Sequence, residues 1–206
     1  MPSPSNNTAK WKELSEIDYF GLFVKNWLAF NSWYRGHHPS LKSDRDCINE
    51  LKNTLDDRNS AFIHFSRLLD GTGRDAISFR DYLDGLVTSL NRVTLTNSNP
   101  KQYKGSISFS NALVDKKYVN LLVDRNSAEE YEAQEGVDGE EELEVFFINL
   151  GSVYVTNDTE VFYKGTLEVI YQIRCLLFHG ELEPTDENHQ VVKYAYLVMN
   201  SIMKNL

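Results

Sequence analysis

The sequence predicts a mainly α-helical bundle interrupted by one small β insertion. Three observations predict it: apolar residues recur at helical spacing before about residue 93 and again after Asp158, helix-capping and helix-stopping residues bracket those runs, and a β-branched, aromatic character appears only between them. With 206 residues and 41% hydrophobic content, the chain can bury one substantial core, so residues 1–206 are read as a single domain.

The first helix is expected from Trp11 to about Arg35. At about 100° per residue, Phe20, Phe23, Val24, Trp27, Leu28, Phe30 and Tyr34 share one broad arc. Asn31 lies in the middle of that arc, as a hydrogen-bonded core amide or as a neighbour of a functional site, because a buried amide must be satisfied. Gly36 ends the helix, and Arg35, His37 and His38 form a small cationic group after it, either an exposed loop or an RNA-backbone contact. Ser43 or Asp44 caps a second helix to about Leu55. A third runs from about Arg58 to Leu69, is broken by Gly71 and Gly73, and is followed by a fourth from about Asp75 to Val93.

Residues 94–157 read as the insertion. Thr94–Gly105 is loop-like, short strands are expected near Ser106–Ser110, Tyr118–Val123 and Leu143–Val155, and Gly151-Ser152 marks a turn. The stretch 128–142 is acidic, lacks apolar periodicity and is expected to be mobile. A helix then spans Asp158–Phe178 and a last one Asp186–Lys204, separated by Gly180 and Pro184.

Charge bounds the partners. The net charge is −9, yet Asp124–Glu144 carries ten acidic residues and one basic residue, which leaves 20 of each elsewhere. The surface therefore lacks the broad basic footprint of a duplex-DNA binder, while a local site of a few arginines remains open. No apolar run approaches the roughly 20 residues of a membrane span. The opening Met-Pro-Ser-Pro-Ser lacks the plan of a signal peptide, and Cys47 and Cys175 show no paired spacing, so free thiols in a reducing cytoplasm are expected.

The chemistry-bearing stretch is Ile173-Arg174-Cys175-Leu176-Leu177-Phe178-His179-Gly180. Arginine can hold a phosphate bidentately, and histidine can move a proton near neutral pH. With Arg174 set at 0°, Phe162, Tyr163, Thr166, Val169, Ile170, Ile173, Leu176 and Leu177 fall on an arc of roughly 200° to 340°. The opposite arc mixes Leu167, Tyr171, Cys175 and Phe178 with Glu168, Gln172, Arg174 and His179. Such a half-apolar second face is expected to meet either another helix of the fold or a second subunit, with Arg174 and His179 beside the contact.

No metal is expected, because adjacent His37 and His38 cannot easily share an ion and no cysteine or carboxylate is spaced to complete a site. No cofactor is expected either: Gly71-Thr72-Gly73 lacks the Lys-Ser/Thr ending of a phosphate loop. Arg58 and His64, with five residues between them against four between Arg174 and His179, make a second arginine–histidine pair, but His64 lies among Phe62, Ile63 and Phe65 and reads as a core histidine.

Arg174 through His179 resembles the R-x4-6-H signature of the HEPN domain superfamily, and Trp27-Leu28-Ala29-Phe30-Asn31-Ser32-Trp33-Tyr34 is similar to the aromatic first helix of its members. The resemblance covers the first helix and the last two helices. It implies an antiparallel helical bundle that forms a homodimer with two motifs lining one cleft, acting as a metal-independent endoribonuclease of toxin or defence type. In that reading Arg174 and His179 are catalytic, the products carry 2′,3′-cyclic phosphates, Asn31, Arg35, His37 and His38 are candidate RNA-binding residues, and an antitoxin or other regulatory partner is implied. The alternative is a catalytically inactive HEPN-like module holding a nucleotide, RNA or a protein partner. A third reading is an acidic adaptor that recognises its partner through the insertion.

Overall fold

A computed structural model describes residues 17–96, 106–112, 123–124, 147–204 and 206. Its helices are α1 (Tyr19–His37), α2 (Asp44–Asn53), α3 (Ser60–Asp70), α4 (Arg74–Asn91), the single turn α5 (Phe109–Ala112), α6 (Thr159–Phe178) and α7 (Asp186–Met203). The fold is mainly helical with a small β element. Strands β1 (Val123–Asp124), β2 (Phe147–Asn149) and β3 (Val153–Thr156) form one antiparallel sheet in the order β1-β3-β2.

Local chemistry sets the helix starts. Asp18, Asn59, Asp158 and Thr185 each accept a backbone N–H of the first turn. Ser43 does so within a full capping box completed by Asp46. Asp18 starts α1 at Tyr19, so the helix expected from Trp11 is interrupted there, and residues 1–16 lie outside the described residues. At the end of α6, Gly180 has φ +70, and the N–H groups of Gly180 and Glu181 return to the carbonyls of Leu177 and Leu176. These bonds form the Schellman stop that the glycine predicts.

Within the insertion, Gly151-Ser152 turns β2 into β3, with Gly151 at φ +129 and the Asp84 carboxylate accepting the Ser152 and Val153 N–H groups. The strand expected at Ser106–Ser110 is instead one bridge, Thr96 to Ser106, followed by α5. Phe109 supplies the reason: it packs on Phe162 at 5.7 Å between centroids, which seats a helical turn against α6. The acidic stretch 128–142 lies outside the described residues.

α6 is the central element, covered by α2, α3, α5 and β3, while α7 packs on α4, α1 and α3. α2 runs antiparallel to α6, with Asp44 beside Arg174, and α4 runs antiparallel to α7, with Asp75 beside Lys204. α1 and α7 begin at the same end, where the Tyr19 N–H donates to His189 Nε2 at 3.1 Å. Edge-on contacts among Phe65, Phe79, Phe162 and Tyr163 build the middle of the core. Asn59, itself buried, donates to the Leu51 and Thr54 carbonyls and to Tyr163 Oη, joining α2, α3 and α6 through one satisfied amide.

One backbone approach needs glycine. A Cβ on Gly85 would lie 2.3 Å from the Tyr194 ring, so α4 and α7 meet only because position 85 has no side chain. Gly85→Ala is expected to lose about 1–3 kcal/mol through overpacking, even though alanine favours helix by about 1 kcal/mol. Urea unfolding checks this, and an unchanged midpoint would show that Tyr194 swings aside at little cost.

Candidate phosphate-handling site at the end of α6

Arg174 lies just before the last turn of α6 and reaches across to the start of α2. Its Nη2 donates to Asp44 Oδ2 at 2.9 Å. The other carboxylate oxygen accepts Arg35 Nη2 at 2.7 Å and Asn31 Nδ2 at 2.9 Å. Asn31 also bonds the Tyr34 hydroxyl, which in turn is hydrogen-bonded to Asp44. The Arg174 guanidinium sits 4.6 Å from the Phe178 ring centroid and 5.5 Å from that of Trp27, within cation–π range.

Asp44 is the hub. Burial pushes its carboxyl pKa up, but the bonds from Arg35 and Asn31 and the charge of Arg174 outweigh burial and hold it below its ordinary value. Asp44 is also the first residue of α2, where the helix dipole favours a negative charge. Burial and the adjacent Asp44 charge raise the Tyr34 pKa far above its ordinary value, so its hydroxyl stays protonated. Two guanidiniums against one carboxylate leave the cluster with a surplus positive charge. Arg174 Nε is buried and has no partner among the described residues, and Nη1 has only a 4.0 Å contact to Cys175 Sγ.

His179 follows directly. It is the C-cap of α6, with φ −90 and ψ 0, and its N–H donates to the Cys175 carbonyl. Its side chain is exposed and makes no hydrogen bond or ion pair with any described residue. Within the chain, Arg174 sits beside a buried contact and His179 does not. Arg174 is largely enclosed, with 18% of its side chain accessible, while His179 faces solvent because the Schellman turn places it beyond the last packed turn.

The second face of α6 also resolves. Leu167, Glu168, Tyr171, Gln172 and Cys175 are buried within the chain. Arg45 of α2 lies over the Tyr171 ring at 4.0 Å, and Trp27 of α1 meets the same ring at 6.0 Å. Arg45 and Lys52 both bond Glu168 at 2.7 Å. Of the two coverings expected for this face, the same chain supplies one, so burial of the face requires no second subunit. Phe178, 41% exposed, and His179 are what the face still presents to solvent.

Arg35 does not join His37 and His38 in one cationic group. It folds onto Asp44 and the Leu41 carbonyl, because a half-buried carboxylate binds it more strongly than solvent does. His37 is exposed, packs on Trp33 at 4.8 Å and places Nδ1 2.9 Å from the Trp33 carbonyl. His38 instead lines a cavity of about 210 Å³ with Trp33, His37, Glu50 and Arg58. Asn31 is half-buried and belongs to the Asp44 cluster. Arg58 pairs on the surface with Asp56, while His64 is 8% exposed, so the second arginine–histidine spacing forms no joint site.

Leu28, placed on the apolar arc of the first helix by its spacing, is 56% exposed. Sequence reasoning took Asp44 only as a possible helix cap and passed over Tyr34 as a core aromatic. The one signal of the cluster was Asn31, an amide inside an apolar arc. Both cysteines are free thiols, and among the described residues no three His, Cys, Asp or Glu side chains are grouped to hold a metal. No described helix is long and apolar enough to cross a membrane. Compared with known proteins, the chain matches no family model, no curated protein and no solved structure.

Proposed function

We propose that this chain is a HEPN-like, homodimeric, metal-independent endoribonuclease whose phosphodiester centre is the Arg174–His179 end of α6. The observation that carries the reading is the juxtaposition on one helix end: a guanidinium oriented by Asp44 beside a second guanidinium on the same carboxylate, then an exposed imidazole five residues on. Arg174, backed by the surplus charge it shares with Arg35, would hold a non-bridging phosphate oxygen. The RNA 2′-oxygen would attack phosphorus as the bond to the 5′-oxygen breaks. His179 would take part in moving the proton lost by the 2′-hydroxyl and gained by the leaving oxygen. The product is a 2′,3′-cyclic phosphate. A toxin or defence role belongs to the same reading, and growth inhibition on expression, relieved by Arg174→Ala, is its cellular counterpart.

One observation favours a second reading, a catalytically inactive module that holds RNA, a nucleotide or a protein partner at the same place. Arg174 Nη2 is already engaged by Asp44, and no described side chain fixes the His179 tautomer, as a proton-transfer residue normally requires. Incubation of mixed RNA in EDTA with wild type and with His179→Ala separates the two. Catalysis predicts cleavage by wild type that drops about 10²- to 10⁴-fold in the variant. Binding of RNA without cleavage by either protein selects the second reading. Light scattering that returns a monomer at micromolar concentration, with or without RNA, overturns the composite cleft.

A further inference from the structure

His64 plays no part in the proposed ribonuclease site, and its surroundings are unusual for a core residue. It lines a cavity of about 110 Å³ between α3, α4 and α7, together with Arg74, Ser78, Tyr82, Ser201 and Lys204. A single buried water needs only about 10–15 Å³ of such space, so the cavity has room for a tetrahedral oxyanion. The charged groups facing His64 are Arg67 from its own helix, Arg74 and Asp75 from α4, and Lys204 from α7; Tyr82 is the other titratable neighbour. Three cations against one carboxylate make this mouth positive in a chain whose net charge is −9. Lys204 reaches Asp75 only at 3.8 Å with both side chains mostly exposed, and Arg74 pairs with no described acidic residue. Both cations are therefore available to a ligand.

We propose that this cavity is a phosphate-group site, for inorganic phosphate or for the phosphoryl end of a small phosphate ester. His64 is the enclosed imidazole at its floor, and Arg74 and Lys204 close over the anion from two different helices. One His64 ring nitrogen is hydrogen-bonded to the Ser201 backbone, which fixes the ring plane. Protonation then adds a positive charge at the cavity wall, next to the anion. Without an anion, burial first and then the Arg67 charge hold the His64 pKa below its ordinary value. A bound dianion reverses that balance, so binding takes up a proton and strengthens as pH falls through the His64 range.

Calorimetric titration of the full chain at constant ionic strength tests this, with sulfate as the non-titrating probe for pH. In Arg174→Ala, which removes the anion contact at the end of α6, one saturable site is expected, several-fold tighter at about pH 6 than at about pH 7.5. His64→Gln should remove that pH dependence. Arg74→Gln and Lys204→Gln should each weaken binding about tenfold or more, since each loses a charge-assisted hydrogen bond. Both residues are exposed, so thermal unfolding should be unchanged. Arg58→Gln, at a residue that pairs with Asp56 and does not line the cavity, should bind as wild type. Inorganic phosphate and ribose 5-phosphate then separate the sources: binding of both identifies the end of an ester, and binding of phosphate alone identifies the free ion. Sulfate and phosphate acting no differently from chloride, or Arg74→Gln and Lys204→Gln both binding as wild type, overturns the proposal.

Discussion

Glu168→Ala is expected to destabilise the fold by about 3–5 kcal/mol, because it leaves two enclosed cations without their counter-charge. The Glu168 side chain is 7% accessible, and its carboxylate takes Arg45, Lys52 and the Gln172 amide at once. Burial raises its pKa, but those three bonds overcome burial and bring the carboxyl down to about 2, from an ordinary 4.5. A depressed carboxyl stabilises the folded state above its unfolded pKa. That contribution, about 3 kcal/mol, is lost as pH falls from about 4.5 towards about 2. Glu168→Gln should therefore flatten the stability profile across that window and leave a protein already weakened at neutral pH. Urea unfolding at stepped pH reads both effects, and parallel acid profiles for variant and wild type would assign the acid sensitivity to other groups.

Asp44→Asn is expected to weaken the fold by about 1–3 kcal/mol, the range for losing charge-assisted hydrogen bonds at a half-buried site. Its carboxyl pKa is also depressed, so its contribution exists above the ordinary carboxylate pKa and disappears on acidification below it. The consequence for the site has two signs. Without Asp44, Arg35 and Arg174 carry two uncompensated charges, so affinity for short RNA at low salt should rise. If Arg174 orients a scissile phosphate, cleavage should fall in the same variant, since the guanidinium loses its clamp. Fluorescence anisotropy and a cleavage assay on one preparation measure the pair. Weaker binding together with unchanged stability would place Asp44 outside the energetics of this helix end.

The contrast between Glu168 and Asp44 shows what local pattern can and cannot carry. Glu168 was visible as a charged residue on a half-apolar helical arc, and that arc was expected to meet a partner. Whether the partner was a helix of the same chain or a second subunit depended on where α2 lies, and nothing in the α6 sequence encodes that. The Asp44 contact with Arg174 spans 130 positions in sequence. Its formation depends on the register of α2 against α6, set by the packing of Cys47, Ile48 and Leu51 and by the stacking of Arg45 on Tyr171.

The helical class, the ends of most helices, the Gly151-Ser152 turn and the spacing of Arg174 and His179 near a helix terminus are all legible in local sequence. These features follow from interactions within about four residues: caps at Ser43, Asn59, Asp158 and Thr185, the glycine stop at Gly180, and apolar spacing. The covering of α6's second face by α2, the gathering of Arg35, Asn31, Tyr34 and Arg174 around Asp44, the exposure of His179 and the cationic cavity beside His64 arise from the folded arrangement of the helices. Each of these outcomes depends on where distant helices cross. A crossing is chosen by the summed packing of both surfaces and not by the residues that happen to meet there.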